Sequence, residues 1–251
     1  MKVLAIIPAY NEEQSLPGLI RQTQNYVDHI LVIDDGSSDD TAKVSLAAGA
    51  NLIQHPRNLG KGAACRSGFY AAKTLNVDAV IILDSDGQHD PSDIPNFIQA
   101  FYASQCNLGM IIGNRMKQTH NMPRLRYFTN LFLSKLISQL AGQKISDSQC
   151  GFRLIHKKML ATIDFESNRF DAESEIIVRA ARSGFKISSC QIKTIYRNQY
   201  SKISPIRDTF RFFKFYFRHF ISSPPIKQSL ERDLSVQLGQ KFNNSAYSEV
   251  T

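Results

Sequence analysis

The chain has 251 residues, 43% of them hydrophobic, and a formal net charge of +8. A chain of this size and apolar content can bury the core of a single α/β domain. Its four cysteines stand far apart without a C-x-x-C pair, which indicates reduced thiols and argues against a disulfide framework or a zinc site. No uninterrupted apolar stretch approaches the roughly 18 residues that a membrane span needs.

Short apolar runs alternate with helix-compatible segments through the amino-terminal half. The runs have the composition of strands covered on both faces, and they are 3–7, 30–33, 52–54, 80–83 and 110–112. The helix-compatible segments between them are 12–26, 39–48, 61–75 and 91–104. This alternation predicts right-handed crossovers and a doubly wound, mostly parallel sheet flanked by helices.

Polar clusters follow three of the predicted strands, at 8–12, 34–37 and 84–88. Ligands of such sheets bind outside the carboxyl ends of the strands, so the three clusters are expected to share one site. In the third cluster, Asp84, Asp86 and Gln88 can converge on one hard cation once the strand ends in a turn. A lone D-x-D is more often a solvated turn, and the two other clusters make the site the better interpretation.

Two common nucleotide signatures are absent. Pro8 and Tyr10 follow the first strand where a dinucleotide fingerprint would have glycines. Gly60-Lys61-Gly62 superficially looks like a P-loop, but His55 stands at its first glycine and Gly62 replaces the Ser or Thr that would hold Mg²⁺. Neither NAD nor ATP is therefore favoured.

Five motifs in order resemble the family 2 inverting glycosyltransferases with the GT-A fold, and most closely the polyprenyl-phosphate (dolichyl-phosphate) mannose and glucose synthases. They are IPAYNEE at 7–13, DDGSSD at 34–39, RNLGKG at 57–62, DSDGQHDP at 84–91 and DSQCGFR at 147–153. The resemblance covers about residues 1–203, and Cys150 departs from it where relatives commonly carry Ser or Gly. The motifs are specific for the fold and for nucleotide-sugar binding, and much less so for the sugar.

The resemblance implies a role for each residue of the donor side. The nucleotide-sugar set is Pro8, Tyr10, Glu12, Asp35, Lys61 and Asp84, and the metal set is Asp84, Asp86 and Gln88 around Mg²⁺ or Mn²⁺. The first loop would hold the base and ribose with Asp35 beside it, and Lys61 would contact the diphosphate or base. The alternative for the loop of Pro8, Tyr10 and Glu12 is a strand-ending proline followed by a helix cap. The alternative for Lys61 is a solvated lysine in an ordinary turn.

On the acceptor side, the resemblance places Arg115 and Arg126 at a phosphate, with Arg153 as another contact. Asp147 resembles the family's active-site carboxylate, which could orient the acceptor or act as a base for a hydroxyl. Its alternative is an aspartate that caps a turn. The implied catalytic set is Asp86, Asp147, Arg115 and Arg126.

The prediction that the protein binds a membrane surface rests on the last third of the chain. Residues 204–223 are typical of an amphipathic helix, with a basic stripe of Arg207, Arg211, Lys214 and Arg218 and phenylalanines on another side. The alternative is a helix that docks on the domain's own core or pairs two subunits. Residues 127–140 also have apolar side chains at helical spacing, and a membrane-facing helix is slightly favoured there over core.

The predicted organisation is a GT-A glycosyltransferase domain at 1–203, the amphipathic helix at 204–223 and a polar, flexible tail at 224–251. The expected activity is metal-dependent transfer of a hexose from GDP-mannose or a UDP-sugar to a polyprenyl phosphate or other lipid acceptor. The expected location is the cytoplasmic face of an anionic membrane, as a peripheral protein, with an integral-membrane protein as a further partner. Nucleic acid is not expected, because no recognition module accompanies the charge.

Two alternatives stay open at this point. The same fold can transfer sugar to a hydroxyl of a glycan or lipid. A membrane-associated nucleotide-binding protein without turnover is the alternative from another class, and the intact pair of Asp84 and Asp86 argues against it.

Overall fold

The computed structural model describes residues 1–104, 107–116, 122–168, 171–193 and Tyr216. Its strands are β1 (Val3–Ala9), β2 (His29–Asp34), β3 (Asn51–Gln54), β4 (Ala79–Ile82), β5 (Leu108–Asn114), β6 (Arg153–His156) and β7 (Lys186–Gln191). Its helices are α1 (Leu16–Thr23), α2 (Thr41–Ala47), α3 (Lys61–Thr74), α4 (Ile94–Tyr102), α5 (Arg124–Ala141), α6 (Lys157–Thr162) and α7 (Asp171–Arg182), with a 3₁₀ turn (Pro91–Asp93) before α4.

The strands form one seven-stranded sheet in the order β3-β2-β1-β4-β6-β5-β7. Every neighbouring pair is parallel except those of β6, which runs antiparallel to both β4 and β5. The prediction of a mostly parallel sheet flanked by helices is therefore confirmed. The predicted strands correspond to β1–β5, whereas β6 and β7 were not predicted.

The core lies around the central strands. All seven residues of β1 and all four of β4 are buried, as their continuous apolar sequences require for strands covered on both faces. The helices contact one another in two groups: α1 packs on α2 and on the 3₁₀ turn, whereas α7 packs on α3 and α5. β3 lies at one edge of the sheet and is only partly buried, unlike the strand expected there.

The parallel strands β1, β2 and β4 end at one rim of the sheet. Ala9 at the end of β1 pairs with Asp34 at the end of β2, and the backbone N–H of Leu83 donates to the carbonyl of Ile6 in β1. Because β6 is antiparallel, it begins at this rim, with Arg153 beside Ile82. The fold therefore brings segments from both halves of the chain to one end of the sheet.

Candidate functional site

Hydrogen bonds join the loop that follows β1 to the loop that follows β2. The backbone N–H of Asn11 donates to Ser37 Oγ (2.9 Å), and that of Ser38 donates to Asn11 Oδ1 (2.9 Å). Asn11 takes a positive φ of 52°, which asparagine tolerates better than most residues. These bonds fix the loop of Pro8, which lies buried in β1, and leave the neighbouring Tyr10 38% exposed.

Glu12 belongs to a short turn rather than to the start of a helix, because α1 begins only at Leu16. Ser15 Oγ lies 2.6 Å from Glu12 Oε2 and 2.8 Å from the carbonyl oxygen of Ser85. Ser15 therefore connects the first rim loop to the loop that carries the D-x-D triplet.

Asp35 is the centre of a buried hydrogen-bond network. Its two carboxylate oxygens accept the backbone N–H groups of Leu59 (3.0 Å) and Gly60 (2.7 Å). Its Oδ1 also lies 2.7 Å from His55 Nδ1, and His55 Nε2 lies 2.9 Å from Ser67 Oγ. Asp35 thus holds the loop that leads into α3, although Leu59 and Gly60 lie 24 and 25 residues further along the chain.

A cleft of about 330 Å³ opens beside this network. Its lining residues are Gly36, Ser37, Gln54, His55 and Pro56. Gly36 has a φ of +73°, and a Cβ there would lie 2.6 Å from Arg57 Cα, so the close approach of the two loops requires glycine. The cleft lies on the donor side of the rim, next to the predicted base-binding loop.

The D-x-D loop places its two carboxylates differently. Asp84 follows β4 directly, and Lys61 Nζ contacts its Oδ1. Asp86 lies two residues on, and its Oδ1 accepts the backbone N–H of Gln88 (2.9 Å). A Cβ at Gly151 would lie 2.6 Å from Asp84 Oδ2, so the acceptor-side motif packs its glycine against this carboxylate.

Lys61 lies between two carboxylates. Its Nζ donates to Glu173 Oε1 at 2.6 Å as well as contacting Asp84. Burial alone would lower the pKa of Lys61, but the charges of Asp84 and Glu173 outweigh it, and the pKa lies above its ordinary value. Burial would likewise raise the pKa of Asp84, and the Lys61 charge holds it below its usual range. The sequence motifs do not indicate Glu173, because an acidic residue is expected in a first helical turn anyway.

The pKa of Asp86 shifts in the opposite direction from that of Asp84. Burial and the neighbouring charge of Asp84 raise the pKa of its carboxyl. Two carboxylates close together, one of them disfavoured as an anion, form an oxygen donor set that a divalent cation would stabilise. Within the described ranges no three His, Cys, Asp or Glu residues could hold a metal alone. The carboxylate oxygens of Asp84 and Asp86 are donors of the kind that Mg²⁺ and Mn²⁺ prefer.

His89 is a hydrogen-bonding neighbour of this loop. The backbone N–H of Asp84 donates to His89 Nδ1 at 3.1 Å, and the ring stacks on Phe152 with centroids 5.0 Å apart. Burial lowers the pKa of His89 to about 4, so the ring is neutral near pH 7.

Arg115 and Asp147 form a buried bidentate ion pair on the acceptor side. Arg115 Nε donates to Asp147 Oδ2 at 2.8 Å and a terminal nitrogen donates to Oδ1 at 2.9 Å. The backbone N–H of Arg115 adds a further bond to Oδ2 (3.2 Å). Both oxygens of Asp147 thus accept hydrogen bonds from Arg115, and this geometry favours an orienting role for the Asp147 side chain.

Arg153 is almost wholly buried, with 1% of its surface exposed. Its guanidinium donates to the carbonyl oxygens of Cys150 (2.7 Å), Ser148 (2.9 Å) and Glu173 (2.7 Å). This geometry joins the acceptor-side motif to α7. The predicted contact of Arg153 with a phosphate stays a prediction, and the geometry favours a positioning role.

Arg126 lies in the first turn of α5, half-buried, without an ion pair to any residue in the described ranges. One turn later, Asn130 is 6% exposed, and its Nδ2 finds no hydrogen-bond partner in the same part of the chain. The two side chains are four residues apart and share a helix face. Sequence reasoning missed Asn130, which its spacing from Arg126 could have indicated.

The three cysteines in the described part of the chain are buried, away from solvent. Cys65, Cys150 and Cys190 are buried and free. Burial raises the pKa of the Cys65 and Cys150 thiols to about 12, so neither is a thiolate near neutral pH.

The basic stripe predicted at 204–223 lies outside the described residues, as does the tail at 224–251. Tyr216 is the described residue of the first segment, and its hydroxyl donates to Gln139 Oε1 of α5 at 3.3 Å. Throughout the described ranges, every helix is too short or too polar to cross a bilayer.

Comparison with known proteins identifies the family. The model of the family described as Glycosyl transferase family 2 matches residues 4–164. UDP-N-acetylglucosamine–dolichyl-phosphate N-acetylglucosaminyltransferase of Methanococcus voltae is 32% identical over 217 residues, covering 77% of this chain and 86% of that protein. Dolichyl-phosphate beta-glucosyltransferase of Trichomonas vaginalis is 29% identical over 209 residues, covering 75% of this chain and 64% of that protein.

A solved structure gives the same fold. Glucosyl-3-phosphoglycerate synthase from Mycobacterium tuberculosis, in complex with Mn²⁺, UDP and glucosyl-3-phosphoglycerate, superposes with a TM-score of 0.63 at 18% identity. The match covers 88% of this chain and 79% of that one. With the family model and the curated relatives, this resemblance confirms the fold and the class of enzyme expected from the motifs. The chain belongs to glycosyl transferase family 2 and is a glycosyltransferase of the GT-A fold.

Proposed function

We propose that this enzyme transfers a hexose, with inversion, from a nucleotide-diphosphate sugar to a polyprenyl phosphate at a membrane surface. The observation that carries the proposal is the packing of the acceptor-side motif against the D-x-D loop, where a Cβ at Gly151 would lie 2.6 Å from Asp84 Oδ2. Arg126 and Asn130 of α5 are the candidates for holding the acceptor phosphate. The two relatives described above support the proposal, since both are named for a dolichyl phosphate.

The donor is held on the side of β1, β2 and β4. The cleft beside Asp35 receives the base, and Tyr10 and Glu12 border the ribose. UDP is favoured over GDP, because the Methanococcus relative is named for a UDP-sugar and the mycobacterial neighbour was crystallised with UDP.

Asp86, with Asp84 and Gln88 beside it, would hold Mg²⁺ or Mn²⁺. When bound, the metal supplies Lewis-acid neutralisation of the departing diphosphate. Lys61 supplies a second positive charge to the same region and, held by Glu173, stays close to Asp84. Asp84 remains ionised beside this ammonium.

The acceptor phosphate is already an anion and needs positioning more than deprotonation. Arg126 and Asn130 Nδ2 offer N–H donors on one face of α5, and a guanidinium beside a phosphate contributes charge-assisted hydrogen bonds. A phosphate oxygen attacks the anomeric carbon as the bond from that carbon to the diphosphate breaks, and the nucleoside diphosphate leaves. Asp147, occupied by Arg115, orients this region instead of acting as a base, which disfavours a hydroxyl acceptor.

The test is transfer to a short-chain, water-soluble polyprenyl phosphate in the presence of Mn²⁺ or Mg²⁺. The donors are UDP-glucose, UDP-N-acetylglucosamine and GDP-mannose, each assayed separately. We expect a product whose mass equals that of the acceptor plus one sugar residue, with one donor preferred. The matched polyprenol, which lacks the phosphate, is the control. No product with any donor, or equal transfer to the polyprenol, would overturn the proposal.

The same proposal places the enzyme as a peripheral protein on the cytoplasmic face of a membrane. The helix predicted at 204–223 and an integral-membrane partner protein stay predictions.

A further inference from the structure

Glu173, in the first turn of α7, lies against cations from two other elements of the fold. Its Oε1 accepts a hydrogen bond from Lys61 Nζ at 2.6 Å, and its Oε2 lies 3.7 Å from Arg153 Nη2. The backbone carbonyl of Glu173 also accepts from Arg153 Nη1 at 2.7 Å. An acid at a helix start is usually explained by the positive end of the helix dipole, whereas both carboxylate oxygens of Glu173 face side chains of α3 and β6.

These contacts belong to a closed set of charges. Lys61 Nζ also contacts Asp84 Oδ1. Gly151, two residues before Arg153, packs on Asp84 so closely that a Cβ there would lie 2.6 Å from Asp84 Oδ2. We call the four charged residues the charge cluster: Asp84, Lys61, Glu173 and Arg153. The charge cluster joins the D-x-D loop, α3, α7 and the acceptor-side motif, and its cations balance its carboxylates.

The carboxylate of Glu173 is unexpected beside a site for a diphosphate. Like charges repel, so a carboxylate close to the diphosphate would weaken its binding unless cations offset it. Glu173 is offset on both oxygens, by Lys61 and by Arg153, and its side chain is 14% exposed. Its effect on a substrate would therefore come through a cation that it holds.

Lys61 is the cation whose position depends on Glu173. A lysine side chain is long and flexible, and fixing it costs rotamer entropy. Carboxylates on two sides fix the Lys61 ammonium, while 20% of the side chain stays exposed. A cation that is fixed before the substrate arrives adds no ordering cost at the moment of binding.

We propose that Glu173 is a positioning residue that holds the Lys61 ammonium in place for the diphosphate of the donor. Glu173 contacts neither the donor nor the reacting atoms and acts through Lys61. A metal at the D-x-D loop would be a separate positive charge. This inference rests on the proposed nucleotide-diphosphate donor.

The first test compares the binding of UDP with that of uridine, which lacks the diphosphate, by isothermal titration calorimetry in Mn²⁺. Glu173→Gln in the full chain should weaken UDP binding by about tenfold, because the substrate must then order the Lys61 side chain. Uridine binding should be unchanged. If the unsubstituted enzyme binds GDP more tightly than UDP, the pair compared is GDP and guanosine.

The matched control is Asp171→Asn, which removes an acid from the same helical turn and leaves the charge cluster complete. This variant should bind UDP and uridine like the unsubstituted enzyme. Equal losses for UDP and uridine in Glu173→Gln, or an unchanged affinity for UDP, would overturn the inference.

A second test asks whether Glu173 acts through Lys61. Lys61→Met removes the ammonium and leaves the Glu173 carboxylate without it near the diphosphate. Adding Glu173→Gln to Lys61→Met should therefore raise the affinity for UDP, although the same substitution lowers it in the unsubstituted enzyme. A loss of equal size in both backgrounds would overturn the inference, because Glu173 would then act independently of Lys61. Thermal unfolding checks that each variant is folded, and Lys61→Gln replaces Lys61→Met if that variant is not.

These outcomes are distinct from those that test the proposed function. Binding of UDP needs no acceptor, so absence of sugar transfer by the unsubstituted enzyme would overturn the proposed transfer and leave the role of Glu173 standing. Transfer by the unsubstituted enzyme, together with equal losses in the two backgrounds, would leave the proposed function standing and overturn the role of Glu173.

Discussion

The two sides of the rim hold their polar groups differently. On the side of β1, β2 and β4, the carboxylates of Asp34, Asp35 and Asp84 each bond to donors from a neighbouring segment. On the side of α5, Arg126 has no ion pair and Asn130 Nδ2 no hydrogen bond within the described ranges. We infer that the chain's own contacts preorganise the donor side together with Arg115 and Arg153, whereas Arg126 and Asn130 of α5 keep their donors for an incoming anion.

Asp86→Asn should have the largest effect. Loss of one ligand charge should lower kcat/KM for sugar transfer by roughly a thousandfold or more, since a catalytic metal contributes several kcal/mol. The Tm should stay equal or rise, because the substitution removes a charge beside Asp84. Steady-state kinetics over a range of Mn²⁺ concentrations measure the loss in kcat/KM, and thermal unfolding measures the Tm. Full turnover would place the essential carboxylate elsewhere.

Arg153→Leu distinguishes a positioning role from a phosphate contact. Three carbonyl oxygens and the Glu173 carboxylate would lose their partner, which should cost about 3–5 kcal/mol of unfolding free energy. Arg153→Lys should recover little of this, since one ammonium cannot reach three separate carbonyls. Denaturant unfolding is the measurement. If stability is kept while the KM for the acceptor phosphate rises, Arg153 contacts the substrate as the family resemblance implies.

Arg126→Ala should act on the acceptor alone. Loss of a charge-assisted contact should lower kcat/KM for a polyprenyl phosphate by roughly 10- to 100-fold, with unchanged donor affinity and Tm. Arg124→Ala, two residues earlier and exposed, is the control with the soluble acceptor. Donor binding by calorimetry and transfer kinetics make the comparison. An equal loss of donor affinity would move Arg126 to the other side of the rim.

Glu175→Gln should have the smallest effect. Glu175 accepts the backbone N–H groups of Glu166 and Ser167 and pairs with Arg179. Burial would raise the pKa of Glu175, but the bonds from Ser167 and Glu166 and the charge of Arg179 hold it below its ordinary value. A lowered carboxyl pKa stabilises the fold above the unfolded pKa, and this stabilisation is lost as pH falls through the folded pKa.

The Glu175→Gln variant should therefore be less stable by about 1–2 kcal/mol above roughly pH 5, and the difference should shrink in acid. Unfolding at several pH values measures it. The matched control is Glu166→Gln, whose side chain is 74% exposed and should change stability little. A difference that is constant with pH would rule out the charge of Glu175 as the cause.

The sequence predicts the donor side well because its signals are local. Each of β1, β2 and β4 is an apolar run that leads directly into a polar cluster, so the rim follows from the chain order alone. The same reasoning misses β6, whose four residues begin with an arginine. A buried arginine is compatible with a strand only when carbonyl oxygens from elsewhere surround it, and no local pattern indicates that.

The pairing of Lys61 with Glu173 could not be predicted for a similar reason. The two residues are 112 positions apart, and each alone has an ordinary interpretation in a first helical turn. The exposed apolar residues of α5, which are Leu125, Phe128, Leu131 and Phe132, could be predicted only in part. Their apolar spacing is visible in the sequence, but core and surface helices share that spacing, and exposure decides between them.

The antiparallel β6 has a consequence for the order in which the protein is made. β4, an entirely apolar strand, lies between β1 and β6, and residues 83–152 must be synthesised before β6 exists. At ~5–20 residues per second, a nascent chain in which β1–β4 have formed would expose one edge of β4 for on the order of 10 s. An open, apolar strand edge is a template for association between chains. We therefore expect a chaperone on the ribosome to protect this edge of β4 until β6 has been synthesised.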